Sequence, residues 1–288
     1  MSEKMHRLQK NGPLESAFWG TLRWMLLIGG MILILLPMYL VITNSFKPLE
    51  EAGRSFFALP EAPTLNNYAE LLTTQNYFRY VGNSAMITIV SMAVVAVFVP
   101  LVSYAIARNM QRTYYQFLYL YILLGLFIPS QVILLPIVKQ MSALGLMNRW
   151  GLVLLYVTFS LTRGVFLFVN YIRALPVEIE EAAQIDGCNV LQTYFRIVSH
   201  LILPMISTLV IMDVLWYWND FMLPLFILNK SRDFWTLPLF QYNFKTEYSF
   251  NYTMAFTAYL LSLVPVLVVY CFCQKYIIAG LTAGAVKS

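Results

Sequence analysis

The chain has 288 residues, of which 59% are apolar and 11% charged, with a formal net charge of +5. A soluble domain carries about 25% charged residues and a disordered chain has few apolar ones, so both classes give way to an integral membrane protein. The excess charge comes with no basic run or basic-aromatic surface for nucleic acid, Cys188, Cys271 and Cys273 have neither disulfide-framework nor metal spacing, and His6 and His200 are too few for a zinc site.

The first residues, Met1–Gly12, are polar. The apolar run behind them is too long for a signal-peptide core and lacks an Ala-x-Ala site, which makes it a retained span. A spanning helix needs about 20 mostly apolar residues. Six stretches meet that need: Leu22–Ile42, Tyr80–Ile106, Phe117–Val138, Gly151–Tyr171, Leu201–Leu223 and Met254–Cys273. The expected fold is therefore an all-α integral membrane protein. Residues 1–21 form an N-terminal segment, residues 22–275 a six-helix transmembrane domain, and residues 276–288 a tail. Lys4, Arg7 and Lys10 precede the first span, while Glu50, Glu51 and Glu61 follow it. Positive flanks stay in the cytoplasm, so both termini are expected there.

After the first span, Asn44–Arg79 carries Pro48, Pro60 and Pro63 and reads as an irregular outer loop. Several spans contain Pro: Pro37, Pro100, Pro129, Pro136, Pro204 and Pro265. Neighbouring helices in a bundle re-satisfy the backbone groups that such residues free. The fourth span carries Arg163, and the fifth carries Asp213 with Asn219 and Asp220 near its outer end. A charge inside a bilayer costs about 2.5–3.5 kcal/mol on insertion scales and faces a pore or a partner. Arg163 and Asp213 are thus either an internal pair or part of a substrate path, and Asn219 and Asp220 either a helix end or the same path. The loop Pro224–Thr253 is aromatic, with Trp235, Tyr242, Phe244 and Tyr248 among others. These rings suit a membrane-interface belt or the apolar C–H face of a sugar.

The loop 172–200, between the fourth and fifth spans, is expected in the cytoplasm. Pro176 suits a first helical position, Glu178, Glu180 and Glu181 suit the positive end of the helix dipole, and Gly187 suits a left-handed stop. A helix of about ten residues follows, with Ala182 and Ala183 as a slim face. A second helix begins after Asn189, and Leu191, Tyr194, Phe195 and Val198 trace an amphipathic stripe along it. Pattern alone allows a hairpin lying on the lipid surface.

The residues themselves are more specific. Glu181-Ala182-Ala183-x-x-x-Gly187, with Ile197 ten positions on, resembles the EAA motif of permease subunits in binding-protein-dependent ABC importers. Phe46-Lys47-Pro48, Asn67-Tyr68, Asn83-Ser84, Tyr104-Ala105-Ile106-Ala107-Arg108, Ile128-Pro129-Ser130-Gln131-Val132, Trp218-Asn219-Asp220-Phe221 with Pro224-Leu225, and the terminal Gly280–Lys287 resemble the smaller permease of the maltose-type sugar importers. The resemblance implies that the EAA helix is a coupling helix seated in a cytoplasmic ATPase subunit, with Glu180, Glu181, Ala182, Ala183, Asp186 and Gly187 at that contact. It also implies a second, different permease, two ATPase subunits that bind ATP and Mg, and an extracytoplasmic sugar-binding protein that meets Trp235, Tyr242, Phe244 and Tyr248. One departure is Ser199-His200, where the family carries Leu-Pro; the kink at the start of the fifth span is expected to be moved or softened.

This chain has no phosphate loop of the form Gly-x-x-x-x-Gly-Lys-Ser/Thr, and it is read as a transport subunit without catalytic residues, cofactor or metal. The substrate implied is a saccharide, in particular an oligosaccharide, with an anionic uronate-type saccharide as the alternative raised by Arg163. A secondary transporter, the remoter alternative, has no use for an EAA helix and would need an ion-coupling site. The expected location is a bacterial inner membrane, with several passes through the lipid.

Overall fold

The computed structural model describes residues 13–73, 75–242, 244 and 251–285, and its ordered elements are helices. They are α1 (Pro13–Ser45), α2 (Leu49–Arg54), α3 (Asn66–Thr73), α4 (Tyr77–Arg108), α5 (Thr113–Leu124), α6 (Ser130–Ala143), α7 (Arg149–Arg173) and α8 (Glu178–Ile185). They continue as α9 (Val190–Leu201) and α10 (Leu203–Asn219), then α11 (Met222–Ile227), α12 (Leu237–Tyr242) and α13 (Tyr252–Ala285).

The centre of the bundle is the pair α4 and α7. Both are apolar over most of their length, yet the buried faces of α4 carry Ser84, Thr88, Ser91 and Ser103, and α7 carries Ser160 and Gly164. Small side chains let helix axes approach where lipid offers no hydrophobic drive. The approach is tightest at Gly164, where an added Cβ would lie 2.4 Å from Val99 Cγ1. Around this pair Ile87, Val95, Leu152, Tyr156, Val165, Phe168, Leu209 and Tyr217 form one buried core with side chains from α10.

Among the described residues, three helical stretches are individually long and apolar enough to cross a bilayer: Trp19–Ser45, Tyr77–Arg108 and Arg149–Arg173. The first is apolar on every side and exposed along its length, touching the body only at its end, where Thr43, Asn44 and Ser45 are buried. A helix of that kind faces lipid or another chain. The other expected spans are less regular. Phe117–Val138 is two helices, α5 and α6, because Gly125–Pro129 leaves the helical path. Pro129 cannot donate a backbone hydrogen bond and disfavours helical geometry at Ile128. Short turns bring the Gly125, Leu126 and Phe127 N–H groups to the Ile122, Leu123 and Leu124 carbonyls. The fifth stretch is a pair, α9 and α10, bent by 72° at Ile202.

That bend decides between the two expectations for the kink: it is moved and not softened. Pro204 sits in the first turn of α10 and breaks the ladder there, so Ser199-His200 end α9 and the kink lies just beyond them. The amphipathic stripe also changes. Tyr194–Val198 is one π turn, and it turns Tyr194 and Val198 inward while Leu191 and Phe195 stay exposed.

The loops expected outside are more ordered than their Pro content suggests. Asn44–Arg79 holds α2 and α3, and Lys47, fully buried, gives its ammonium to the Ser55 and Ala58 carbonyls at 2.6 Å each. Asn67 closes the same knot by donating to the Ser45 and Lys47 carbonyls at 2.8 Å. Asn83 on α4 donates to the Asp233 and Trp235 carbonyls, and Ser84 accepts from the Leu237 N–H. The aromatic loop is thereby pinned to the α4–α7 pair.

Gly164→Ala is expected to lower the thermal midpoint of the detergent-solubilised protein, since overpacking costs about 1–3 kcal/mol and the β-branched Val99 cannot swing aside. Adding Val99→Ala should restore part of the loss. An unchanged midpoint in Gly164→Ala would show that the two helices separate freely.

Candidate functional site

Helix α8 is short, eight residues, and its ends are made by the sequence. Glu178, Glu180 and Glu181 occupy the first turn, where the dipole favours negative charge. Pro176 is not the first helical residue as expected: it precedes Val177, which stands at the cap. At the other end Gly187 takes φ +86°. Its N–H reaches the Gln184 carbonyl and the Cys188 N–H the Ala183 carbonyl, both at 3.0 Å, a Schellman closure that wants glycine. Asn189 and Gln192 then form a reciprocal capping box that starts α9.

The helix has two unlike faces. Glu180 points inward and is 5% exposed. One carboxylate oxygen accepts from Arg108 Nε at 2.8 Å and Nη2 at 2.6 Å, and the other from the Tyr104 hydroxyl at 2.8 Å. Ala183 is buried beside it, and Tyr104 packs against Tyr194 with ring centroids 5.3 Å apart. So the C-terminal end of α4 holds α8 and α9 in place. Of the residues expected at an ATPase contact, Glu180 and Ala183 thus face into this chain. Glu181, Ala182, Asp186 and Gly187 lie on the exposed side. Apolar residues are exposed with them: Ile185 at 86%, and also Ile179, Val190, Leu191 and Phe195. Clustered exposed apolar side chains mark an interaction surface. Between α8 and α4 lies a recess of about 530 Å³, lined by Tyr104, Arg108, Glu181, Gln184, Leu191 and Tyr194.

The charges inside the bundle also find partners. Arg163 Nη2 lies 2.7 Å from Asp213 Oδ1, and its guanidinium covers the Trp216 ring at 4.6 Å. Tyr217 donates to Asp213 Oδ2 at 3.4 Å and is 2.5 Å from the Ser160 hydroxyl. Asp220 accepts from the Tyr156 hydroxyl at 3.0 Å and from the Met222 N–H at 3.1 Å. Asn219 is exposed and donates back to the Leu215 carbonyl of its own helix. Arg163 and Asp213 therefore pair across α7 and α10, Asp220 is held separately by Tyr156 beyond the end of α10, and Asn219 stands apart from both.

In the outer loop, Phe244 is buried against Phe240, and Trp235 is half-buried with the Arg232 guanidinium at 5.4 Å from its ring centroid. Tyr242 is exposed and packs against Phe221 at 4.9 Å. Tyr248 lies outside the described residues, as does the end of the tail, residues 286–288. Sequence reasoning quoted Tyr104 and Arg108 without giving them a role. Their four-residue spacing puts them on one helix face, which was the available signal.

The described bundle is thus one of apolar, broken and bent helices that presents a small clamped helix at one end. The family model described as "Binding-protein-dependent transport system inner membrane component" matches residues 100–282. The chain is 44% identical over 272 residues to the multiple sugar-binding transport system permease protein MsmG of Streptococcus mutans, covering 94% of this chain and 97% of that one. It is 33% identical to the arabinooligosaccharides transport system permease protein AraQ of Halalkalibacterium halodurans, covering 92% and 97%. A chain from the crystal structure of a bacterial ABC transporter involved in the import of the acidic polysaccharide alginate has the same fold, with a TM-score of 0.78, 21% identity and coverage of 92% and 98%. The chain belongs to the binding-protein-dependent transport system inner membrane component family. It is a multi-pass permease subunit of a bacterial inner membrane and not an enzyme in itself, and the resemblance to sugar-importer permeases read from its residues holds.

Glu180→Leu is expected to lower the thermal midpoint of the solubilised protein, because it leaves Arg108 without its carboxylate; breaking a buried pair costs about 3–5 kcal/mol. Arg108→Leu added to it should recover much of that loss. Stability indifferent to Glu180→Leu would mean that α8 is not held by this pair.

Proposed function

We propose that this chain is one of two different permease subunits of an ATP-driven saccharide importer. The observation that carries the reading is the two-faced α8: an inner face clamped by Arg108 and Tyr104, and an outer face of Glu181, Ala182, Ile185 and Asp186 left exposed at the end of the bundle. An ATPase subunit is the partner for that outer face. ATP and Mg are bound by the two ATPase subunits, with both termini of this chain on their side of the membrane. When the ATPases close, they push on α8, and the Glu180 clamp passes the push to α4 and thus to the α4–α7 pair. Alternating access follows as rigid-body rocking of the bundle, with each state favoured by the ligand that it binds best.

An extracytoplasmic sugar-binding protein delivers the substrate at the opposite end, where Tyr242 and the pinned loop are presented. An oligosaccharide is the substrate favoured by the names of the relatives, which transport multiple sugars and arabinooligosaccharides. The anionic alternative rested on an unpaired Arg163. Its pairing with Asp213 removes that reason.

Glu181→Lys reverses the charge on the outer face, and Gly187→Pro is incompatible with a left-handed φ. In liposomes holding the whole complex and loaded binding protein, both are expected to lower saccharide uptake and stimulated ATP hydrolysis at least tenfold, with the chain still inserted. Normal uptake and hydrolysis in both variants would dismiss the ATPase contact.

A further inference from the structure

The break between α5 and α6 opens beside Arg163 of α7 and Asp220 at the end of α10. Two recesses lie there, of about 140 and about 270 Å³, and both are lined by Ser130, Phe159 and Trp216. Gln131 and Asp220 line the smaller one, Thr162 and Arg163 the larger. The Phe159 and Trp216 rings stand perpendicular with centroids 6.2 Å apart, an aromatic corner between the two recesses. Resting on the reading of the chain as a saccharide permease, we propose that this corner is a subsite for one unit of a neutral saccharide in transit.

The chemistry of the lining supports this class of ligand. A sugar ring offers apolar C–H faces and an edge of hydroxyls that both donate and accept. Ligand sites between helices combine aromatic walls with a few placed polar groups. Here the walls are Phe159 and Trp216, and the polar groups are the Ser130 hydroxyl, the Gln131 amide, which donates and accepts, and the Asp220 carboxylate, which accepts only. Ser130 and Gln131 are exposed at the start of α6. Their one mutual contact is a long 3.4 Å hydrogen bond, so they keep capacity for a ligand.

The charge balance favours a neutral ligand over an acidic one. Arg163 is neutralised by Asp213 and covers the Trp216 face. Asp220 has hydroxyl and N–H donors in Tyr156 and Met222 but no cation among the contacts that hold it. A uronate carboxylate would meet a net negative recess, whereas a hydroxyl meets an acceptor. The recesses are open, and together they fall at the low end of the range for a ligand pocket, about 300–1,000 Å³, which suits a single sugar unit.

The test compares Gln131→Ala and Trp216→Leu with the unaltered chain in the complete complex in liposomes, using binding protein loaded with a neutral oligosaccharide. The readout is the number of saccharides imported per ATP hydrolysed. A subsite used in transit predicts a fall of about three- to tenfold in that ratio for each variant, the worth of one neutral hydrogen bond or somewhat more, with stimulated hydrolysis retained. Gln131 is exposed at a helix start, so its change leaves folding intact even where Trp216→Leu does not. An unchanged ratio in Gln131→Ala overturns the subsite. So does an equal fall for Phe117→Ala, an exposed residue of α5 remote from this lining. Failure of the unaltered complex to import any saccharide would strike the proposed function instead, which keeps the two apart.

Discussion

Everything else in this bundle is positioned by the close approach of α4 and α7. Gly164 allows it, since any Cβ there would enter the Val99 side chain. The pair is long enough to reach both ends of the molecule: Asn83 and Arg149 lie at one end, Arg108 and Arg173 at the other. Between them the two helices bury Val95, Val99, Val165 and Phe168, none more than marginally exposed. Interiors packed this densely shift between discrete arrangements and do not deform continuously. A push delivered at one end of such a pair therefore arrives at the other as a displacement of the whole.

Polar ties convert that pair into a frame, and each tie satisfies groups that apolar surroundings would otherwise leave costly. At the end that carries α8 the Glu180 carboxylate is met by three donors from α4. At the opposite end Asn83 uses its amide on two carbonyls of the aromatic loop and accepts from Arg149 at 3.2 Å. In the middle Arg163 and Asp213 join α7 to α10. Lys47 shows the same rule in a loop: its buried ammonium is held by backbone carbonyls rather than by a carboxylate. A charge-assisted bond of this kind is stronger than a neutral one, and here it fixes the turn around Phe46-Lys47-Pro48.

The helical class and the short helix α8 were legible because length, charge fraction, Gly187 and the EAA spacing are local properties. The motifs of the resemblance also turned out to be structural in a readable way, since Lys47, Asn67, Asn83, Ser84, Tyr104 and Arg108 all bind distant backbone or charge. Which end of each tie they would find was not legible, because the partners lie 8 to 153 positions away. The same limit explains Glu180. Three glutamates share the first turns of α8, and only the position of Arg108 decides which one is taken inward. Hydropathy likewise merged α5 with α6, since Gly125–Pro129 is as apolar as its flanks and only backbone geometry interrupts it.

On the proposed function, the division of labour between Glu180 and Glu181 links fold to transport. A coupling element must be bare toward its driver and rigid toward its load. One helix of eight residues can be both only if adjacent positions face opposite ways, which the helical advance of about 100° per residue permits. Glu180 is used up by Arg108 and Tyr104, so its charge is unavailable to another chain. Glu181, one position on, retains its charge at the surface beside Ala182, where a partner can approach the backbone closely. The Schellman closure at Gly187 then holds the length of the helix fixed, so that a displacement of the outer face is passed to α4 and not absorbed by fraying. Rigidity at this contact, more than the strength of any single bond, is what the local sequence secures.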